Sequence, residues 1–260
     1  MCLIVFDWQP SKTIRLRLAA NRDEFHSRPT RALHRWQDLP LVGGRDLAAG
    51  GTWLAVSGGR RFAAVTNVRS GDTAMAGRAL SRGDLVRQAL TAPHPHRWLT
   101  ELASGKARQF AGFNLLVGFD DQLWHVHHAG RHGVCHDADD TLLQRVPPGI
   151  HTLSNATLDS TWPKSVRAGS ALAETLPTTD WRPVMRQTMR DARPFADDTL
   201  PDTSVGLARE RTLSPLFIEG ADYGTRAMTL VTWSNEGIEL EETGFGPMGK
   251  PLDTTTIVSR

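Results

Sequence analysis

The chain is expected to fold as one α+β domain built from antiparallel strands. Three observations point there. β-prone segments come in pairs joined by turn residues, they are grouped at the start, middle and end of the chain, and helical stretches fall between the groups. That order is strands, helices, strands, not the alternating βαβ of a parallel sheet. At 260 residues and 40% hydrophobic content, one sizeable core is favoured over two small domains, so residues 1–260 are read as a single domain.

The first hairpin organises the rest. Cys2 to Trp8 is apolar and β-prone, and Ile14-Arg15-Leu16-Arg17-Leu18 alternates strictly. Gln9-Pro10-Ser11-Lys12 between them is a turn composition. Paired positions of an antiparallel hairpin sum to a constant, here about 21 to 23, which sets Cys2 opposite roughly residue 19 to 21. Asn21, Arg22 and Asp23 then emerge beside it. Cysteine is small enough to favour removal of Met1. Position 2 would then carry a thiol and a free α-amine that titrates near pH 8, a nucleophile and its base on one residue. Arg22 would lower the thiol pKa, and Asp23 would hold the ammonium or a substrate donor. The competing reading is a packing residue, the usual fate of a cysteine in an apolar strand.

Phe25 to Pro40 reads as irregular. The glycine pairs around Arg45 and Asp46 suggest tight turns, or else a shaped loop over a site. Thr52–Val56 and Arg61–Val68 read as strands joined by Ser57-Gly58-Gly59-Arg60. Asn67, near the end of the second, is a candidate oxyanion donor; the plainer role is a backbone cap. Ser81 and Asp84 fit a capping box before the stripe Leu85, Val86, Ala89, Leu90, and Pro93 and Pro95 stop that helix. Trp98–Leu102 suggests another short helix.

Phe113–Phe119 is a strong strand that turns at Asp120-Asp121 into Gln122–His128. Half the histidines lie in one window, His125, His127, His128, His132 and His136, beside Cys135. His125 and His127 share a strand face and have the spacing to chelate zinc or iron, or to offer an axial ligand to haem. The plainer reading is the solvated outer face of an edge strand. A strand ending at Asn155 follows, then Trp162-Pro163 as a helix start, with Val166, Leu172 and Leu176 along it. Trp181, Met185 and Met189, spaced by four, give another helix whose methionines belong to the core. Phe195 to Glu210 suggests a surface helix or an excursion. Tyr223–Trp233 and Ile238–Glu242 close the chain as a hairpin turned by Ser234–Gly237. Arg226 at the head of that strand needs a carboxylate or an anionic ligand, with Asp23 or Asp222 as structural partners.

Composition excludes several classes. Net charge is +2 with the arginines scattered among acids, so nucleic acid is not an expected partner. Two cysteines make no disulfide framework, and no phosphate loop or GxGxxG is present. The opening apolar run is too short and too early followed by Asp7 for a signal peptide, and no segment has transmembrane length. A cytoplasmic protein is the expectation.

The segments MCLIVF, Ala20-Asn21-Arg22-Asp23-Glu24, Gly44-Arg45-Asp46-Leu47 with Gly51-Thr52-Trp53, Val65-Thr66-Asn67-Val68-Arg69, Leu153-Ser154-Asn155 and Tyr223-Gly224-Thr225-Arg226 together resemble the NRDE family, also called the transport and Golgi organisation 2 family. That family resembles the N-terminal nucleophile hydrolases, especially penicillin V acylase and bile salt hydrolase. The resemblance implies a four-layer αββα sandwich of two antiparallel sheets between helix layers. It implies Cys2 as nucleophile and base, Arg22 and Asp23 as tuning groups, Asn67 or Asn155 as oxyanion donors, with Asn155 better placed, and Arg226 closing the charged network. The activity implied is that of an amidohydrolase or acyltransferase acting on a small amide or acyl thioester, with no cofactor required. The alternative is a binding or trafficking protein for haem or acyl-coenzyme A that reuses the cavity. A third reading is a zinc hydrolase built on the histidines. A homo-oligomer is an allowed assembly. Here Arg22 and Asp23 are adjacent, and adjacent strand positions face opposite ways, so both reach Cys2 only where the strand ends or bulges.

Overall fold

A computed structural model describes residues 2–69, 80–130, 141–176 and 180–260. Among them the elements are β1 (Cys2–Trp8), β2 (Ile14–Phe25), β3 (Thr30–Arg35), β4 (Leu41–Asp46), β5 (Leu54–Ser57), β6 (Arg61–Asn67), α1 (Arg82–Thr91), α2 (Pro95–Ala103), β7 (Phe113–Phe119), β8 (Gln122–His128), β9 (Thr141–Arg145), β10 (Gly149–Leu153), α3 (Pro163–Thr175), α4 (Arg182–Met189), α5 (Leu207–Leu213), β11 (Tyr223–Ser234), β12 (Gly237–Phe245) and β13 (Pro251–Ser259). The strands form two antiparallel sheets, ordered β10-β1-β2-β11-β12-β13 and β3-β4-β5-β6-β7-β8-β9.

Side-chain alternation sorts the apolar residues into three cores and so fixes four layers. Ile4, Phe6, Trp8, Leu16 and Leu18 meet Phe62, Ala64, Leu116 and Leu123 between the sheets. Leu3, Val5 and Ala19, one position out of phase, pack outward on Ala168 and Leu172 of α3 and Met185 and Met189 of α4. Ala63, Val65, Leu115 and Val117 pack outward on Leu85, Val86 and Ala89 of α1 and Leu99 and Leu102 of α2. The order is α, β, β, α, with both sheets apolar on both faces. The expected four-layer sandwich of two antiparallel sheets is therefore the observed architecture.

Several local expectations are corrected. The first hairpin turns later than composition suggests: Gln9 N–H donates to Arg15 O and Lys12 N–H to Gln9 O, so Cys2 lies opposite Arg22, not residues 19 to 21. The segment 41–46 is a strand, not a loop or a pair of turns. Its glycines serve close approach, because a Cβ at Gly44 would stand 2.1 Å from the Trp53 ring. Strand β3, within a stretch read as irregular, pairs with β4 across a bulge. Ser81 precedes α1, but its hydroxyl makes no cap; the Asp84 carboxylate instead accepts from Arg87 and Gln88. Pro95 does not only stop a helix but starts α2. The strand before the Trp-Pro helix ends at Leu153, not Asn155.

One buried group makes stability depend on pH. Glu242 faces the inter-sheet layer from β12, accepting the Leu33 N–H at 2.7 Å and the Thr229 hydroxyl at 3.2 Å. Burial pushes its carboxyl up to about 7. A raised folded-state pKa gives stabilisation that is full below the unfolded value and lost as pH rises through about 7. Glu242→Gln keeps both contacts without the charge. It is expected to be near neutral at pH 4 and to stabilise the protein by about 1–3 kcal/mol at pH 8. Urea unfolding at the two pH values checks this.

Candidate active site

Register places the site. Cys2 opens β1 directly across from Arg22 on β2, and residues directly opposite share a face. That face is the inner one, shared with Ile4, Phe6 and Ala20. The residue is of intermediate exposure, its thiol is unbridged, and the sulfur itself is desolvated. Its surroundings push its pKa up, burial being the largest cause, while Arg22 and the Asp23 main-chain N–H that donates to it act in the opposite sense. Arg22 is buried, with its guanidinium centred 4.3 Å above the Trp53 ring. It pairs with the Glu24 carboxylate at 3.7 Å, and among the described residues its buried Nη1 has no hydrogen-bond partner.

β2 neither ends nor bulges at this point; it runs to Phe25, and the irregularity lies in its neighbour, between Thr225 and Ala227 of β11. Arg22 and Asp23 therefore face opposite ways. Asp23 lies on the outer face with Asn21, where its Oδ1 accepts the Thr225 hydroxyl at 2.7 Å. Burial raises its pKa, with Lys164 and the Thr225 hydrogen bond opposing. Arg226 is the extra residue of the bulge. It pairs with neither Asp23 nor Asp222: Nη1 donates to the carbonyls of Phe25 and Arg28 and to the Thr30 hydroxyl, clasping the corner between β2 and β3. Arg22 and Arg226 still act on each other as like charges.

The two asparagines come together across the sheets. Asn155 Nδ2 donates to the Asn67 carbonyl at 2.8 Å, and the Ser154 hydroxyl donates to the Cys2 carbonyl at 3.1 Å. Segment 154–155 thus ties the nucleophile's strand to the end of β6. The Asn155 amide is partly committed to that tie, while the half-buried Asn67 amide makes no hydrogen bond among the described residues.

Groups to which the sequence assigned no role complete the outer side. Lys164, in the first turn of α3, is buried and donates to Leu213 O at 3.1 Å. Burial pushes its amine down to about 8, with Asp23 opposing. Arg69 is paired with buried Glu210 and lies over the Trp162 ring at 5.0 Å. The signal for Lys164 is its spacing: it stands four and eight residues before Ala168 and Leu172, on the stripe that α3 buries.

His125 and His127 share a face as expected, but not a solvated one. β9 is the edge strand, and both rings point into the inter-sheet layer. Asn114 organises them. Its Nδ2 donates to Ala156 O at 2.7 Å, so its Oδ1 accepts, from His127 Nδ1 at 2.7 Å and His125 Nε2 at 3.2 Å. Gln144 Nε2 donates to His125 Nδ1, which fixes His125 as a neutral ring. Burial, with His127 adding to it, takes His125 down to about 3. His128 points outward, toward Thr141 and Phe113. Among the described residues no three metal-binding side chains converge. His132, Cys135 and His136 lie outside the described residues.

A four-layer αββα sandwich with a cysteine, an arginine and two asparagines gathered at the start of β1 is a fold with an amino-terminal polar site. The chain belongs to the Transport and Golgi organisation 2 family, whose model matches residues 1–243. It is 29% identical over 262 residues to a Transport and Golgi organization protein 2 homolog of Bos taurus, covering 91% of this chain and 90% of that protein. The Homo sapiens homolog is 27% identical over 259 residues, with the same coverage. Among solved structures, a Caenorhabditis elegans N-acylethanolamine-hydrolyzing acid amidase ortholog superposes with a TM-score of 0.48 at 10% identity, covering 88% of this chain and 92% of that one.

Proposed function

We propose that the protein cleaves a small amide or acyl thioester with Cys2 as an amino-terminal nucleophile. The observation that supports this is the position of the thiol. It opens β1 on a residue of intermediate exposure, shares a face with a buried arginine and receives the Asp23 N–H. The sulfur attacks the carbonyl carbon as the thiol proton passes to the α-amine of Cys2. Asn67 and Asn155 donate to the oxyanion that forms. The C–N or C–S bond to the leaving group then breaks, and the leaving group takes the proton from the ammonium. Water hydrolyses the acyl thioester, which returns the thiol. Arg22 favours the thiolate, and Asp23 with Lys164 sets the charge behind it.

The amine serves as base only once Met1 is removed. Intact mass of the purified, active protein is expected to correspond to a chain beginning at Cys2. A fully active preparation that retains Met1 overturns this mechanism.

A further inference from the structure

The two faces of β2 differ in charge. On the outer side Asp23 and Glu210 balance Lys164 and Arg69. On the inner side, among the described residues, Arg22, Arg28, Arg82 and Arg226 stand against Glu24 and Asp46, with Glu242, its carboxyl pushed up to about 7, acting on Arg22 from the inter-sheet layer. Asp46 is taken by Arg28 at 2.7 Å, and Glu24 is shared between Arg22 at 3.7 Å and Arg28 at 3.8 Å. Arg226 donates from Nη1 to two carbonyls and a hydroxyl, while its Nε is buried without an acceptor among the described residues. With either Cys2 or Glu242 ionised, the described residues of the inner side keep one positive charge in excess.

Of these arginines, the two that bear on Cys2 are Arg22, directly across the strand pair, and Arg82. Arg22 is 6% exposed, with Nη1 buried and unpartnered. A buried guanidinium N–H without an acceptor is destabilising, so Nη1 has room in its bonding for an acceptor that the described residues do not supply. Arg82 opens α1 and, among the described residues, makes one hydrogen bond, to Gly112 O at 3.2 Å, and no ion pair. The charges that act on it are those of Cys2, Glu24 and Arg28. Its placement follows from a close backbone crossing. Thr52 N–H donates to Gly83 O at 3.1 Å, and a Cβ on Gly51 would stand 2.4 Å from the Gly83 carbonyl carbon. The start of α1 is thereby seated on the segment that carries Trp53, the ring beneath Arg22.

We propose that Arg22 and Arg82 form an anion-binding subsite beside Cys2, and that the acyl compound attacked there carries a carboxylate close to its reacting carbonyl. This deepens the nucleophile reading and rests on it. Guanidinium forks match carboxylate geometry, and the water-poor inner face strengthens the attraction.

Iodoacetate and iodoacetamide differ in charge and little in size, and both alkylate thiolate. Their rate ratio therefore cancels any change in the thiol pKa. Alkylation is followed on the Cys2 peptide by mass spectrometry, with glutathione measured alongside. The wild-type ratio of iodoacetate to iodoacetamide is expected to exceed that of glutathione by at least about tenfold, to fall as salt screens the site, and to drop several-fold in Arg82→Gln. A Cys2 labelled quickly at the glutathione ratio, insensitive to salt and to Arg82→Gln, overturns the anion subsite and leaves the nucleophile reading standing. A Cys2 that neither reagent labels in the folded protein overturns both.

Discussion

Cys2→Ala is expected to lower hydrolysis of an acyl anilide or acyl thioester by a factor of roughly ten thousand or more, the scale seen when a covalent nucleophile is removed. Stability should change by less than about 1 kcal/mol, because the side chain is small and belongs to a residue of intermediate exposure at the start of its strand. Cys2→Ser is expected to be nearly as inactive. The hydroxyl is far harder to ionise, and the α-amine near pH 8 is a weak base for it. Activity against a panel of acyl anilides, with a thermal melt of each variant, separates loss of chemistry from loss of fold. Retained turnover in the alanine variant contradicts the proposed role.

Asn21→Ala is expected to have the largest effect on stability. The Asn21 side chain reaches outward from β2 and donates from Nδ2 to Met189 O at 2.7 Å and Leu216 O at 2.8 Å. Met189 ends α4, so one amide satisfies a helix-end carbonyl and a loop carbonyl in a buried setting. Alanine leaves both acceptors without that donor. The expected cost is about 2–3 kcal/mol, less a fraction regained by removing the unpartnered Oδ1, with a melting temperature roughly 5–10 °C lower. Asn21→Asp should be worse, since a carboxylate would face two carbonyls. The position was singled out in the sequence only as a neighbour of Arg22 and Asp23. Its place in the structure is that of a bolt between the sheet and the helix layer.

Sequence and structure agree where local pattern and burial coincide. The opening hairpin, the β7–β8 hairpin, the Trp-Pro start of α3 and the methionine stripe of α4 carry strong periodicity, and all are present. The strands that escaped the sequence reading lack it for physical reasons. β3 and β13 are largely exposed and carry little apolar alternation, and β9 is an edge strand of mixed exposure. β4 carries two glycines that propensity reads as turns but that packing against Trp53 and Ala55 requires. Nothing local announces such a contact.

The candidate site was legible as far as one strand pair reaches. Cys2, Arg22 and Asp23 follow from hairpin geometry, although the register differed by at least one residue and the faces of Arg22 and Asp23 could be separated only once the strand was seen to continue. Arg226 read as a charge needing a carboxylate or an anionic ligand; its Nη1 instead donates to main-chain carbonyls, which no sequence pattern displays. Lys164, Arg69, Glu210 and Arg82 arrive from distant segments. Arg69 closes one of the family segments without a role of its own, and Lys164 is a lysine in phase with a buried helical stripe. The histidine window showed the opposite error. A cluster that suggested metal or solvent is, for His125 and His127, a buried hydrogen-bonded pair held by Asn114.

The most direct test of the nucleophile is to trap it at work. Wild-type protein is mixed with an activated acyl thioester, quenched in acid within the first turnover, and its intact mass and Cys2 peptide are measured. The account predicts one acyl group added, located on the sulfur of Cys2, and lost over time at neutral pH as water completes the cycle. Turnover with no acyl group ever found on Cys2, or with the group on another residue, would contradict it.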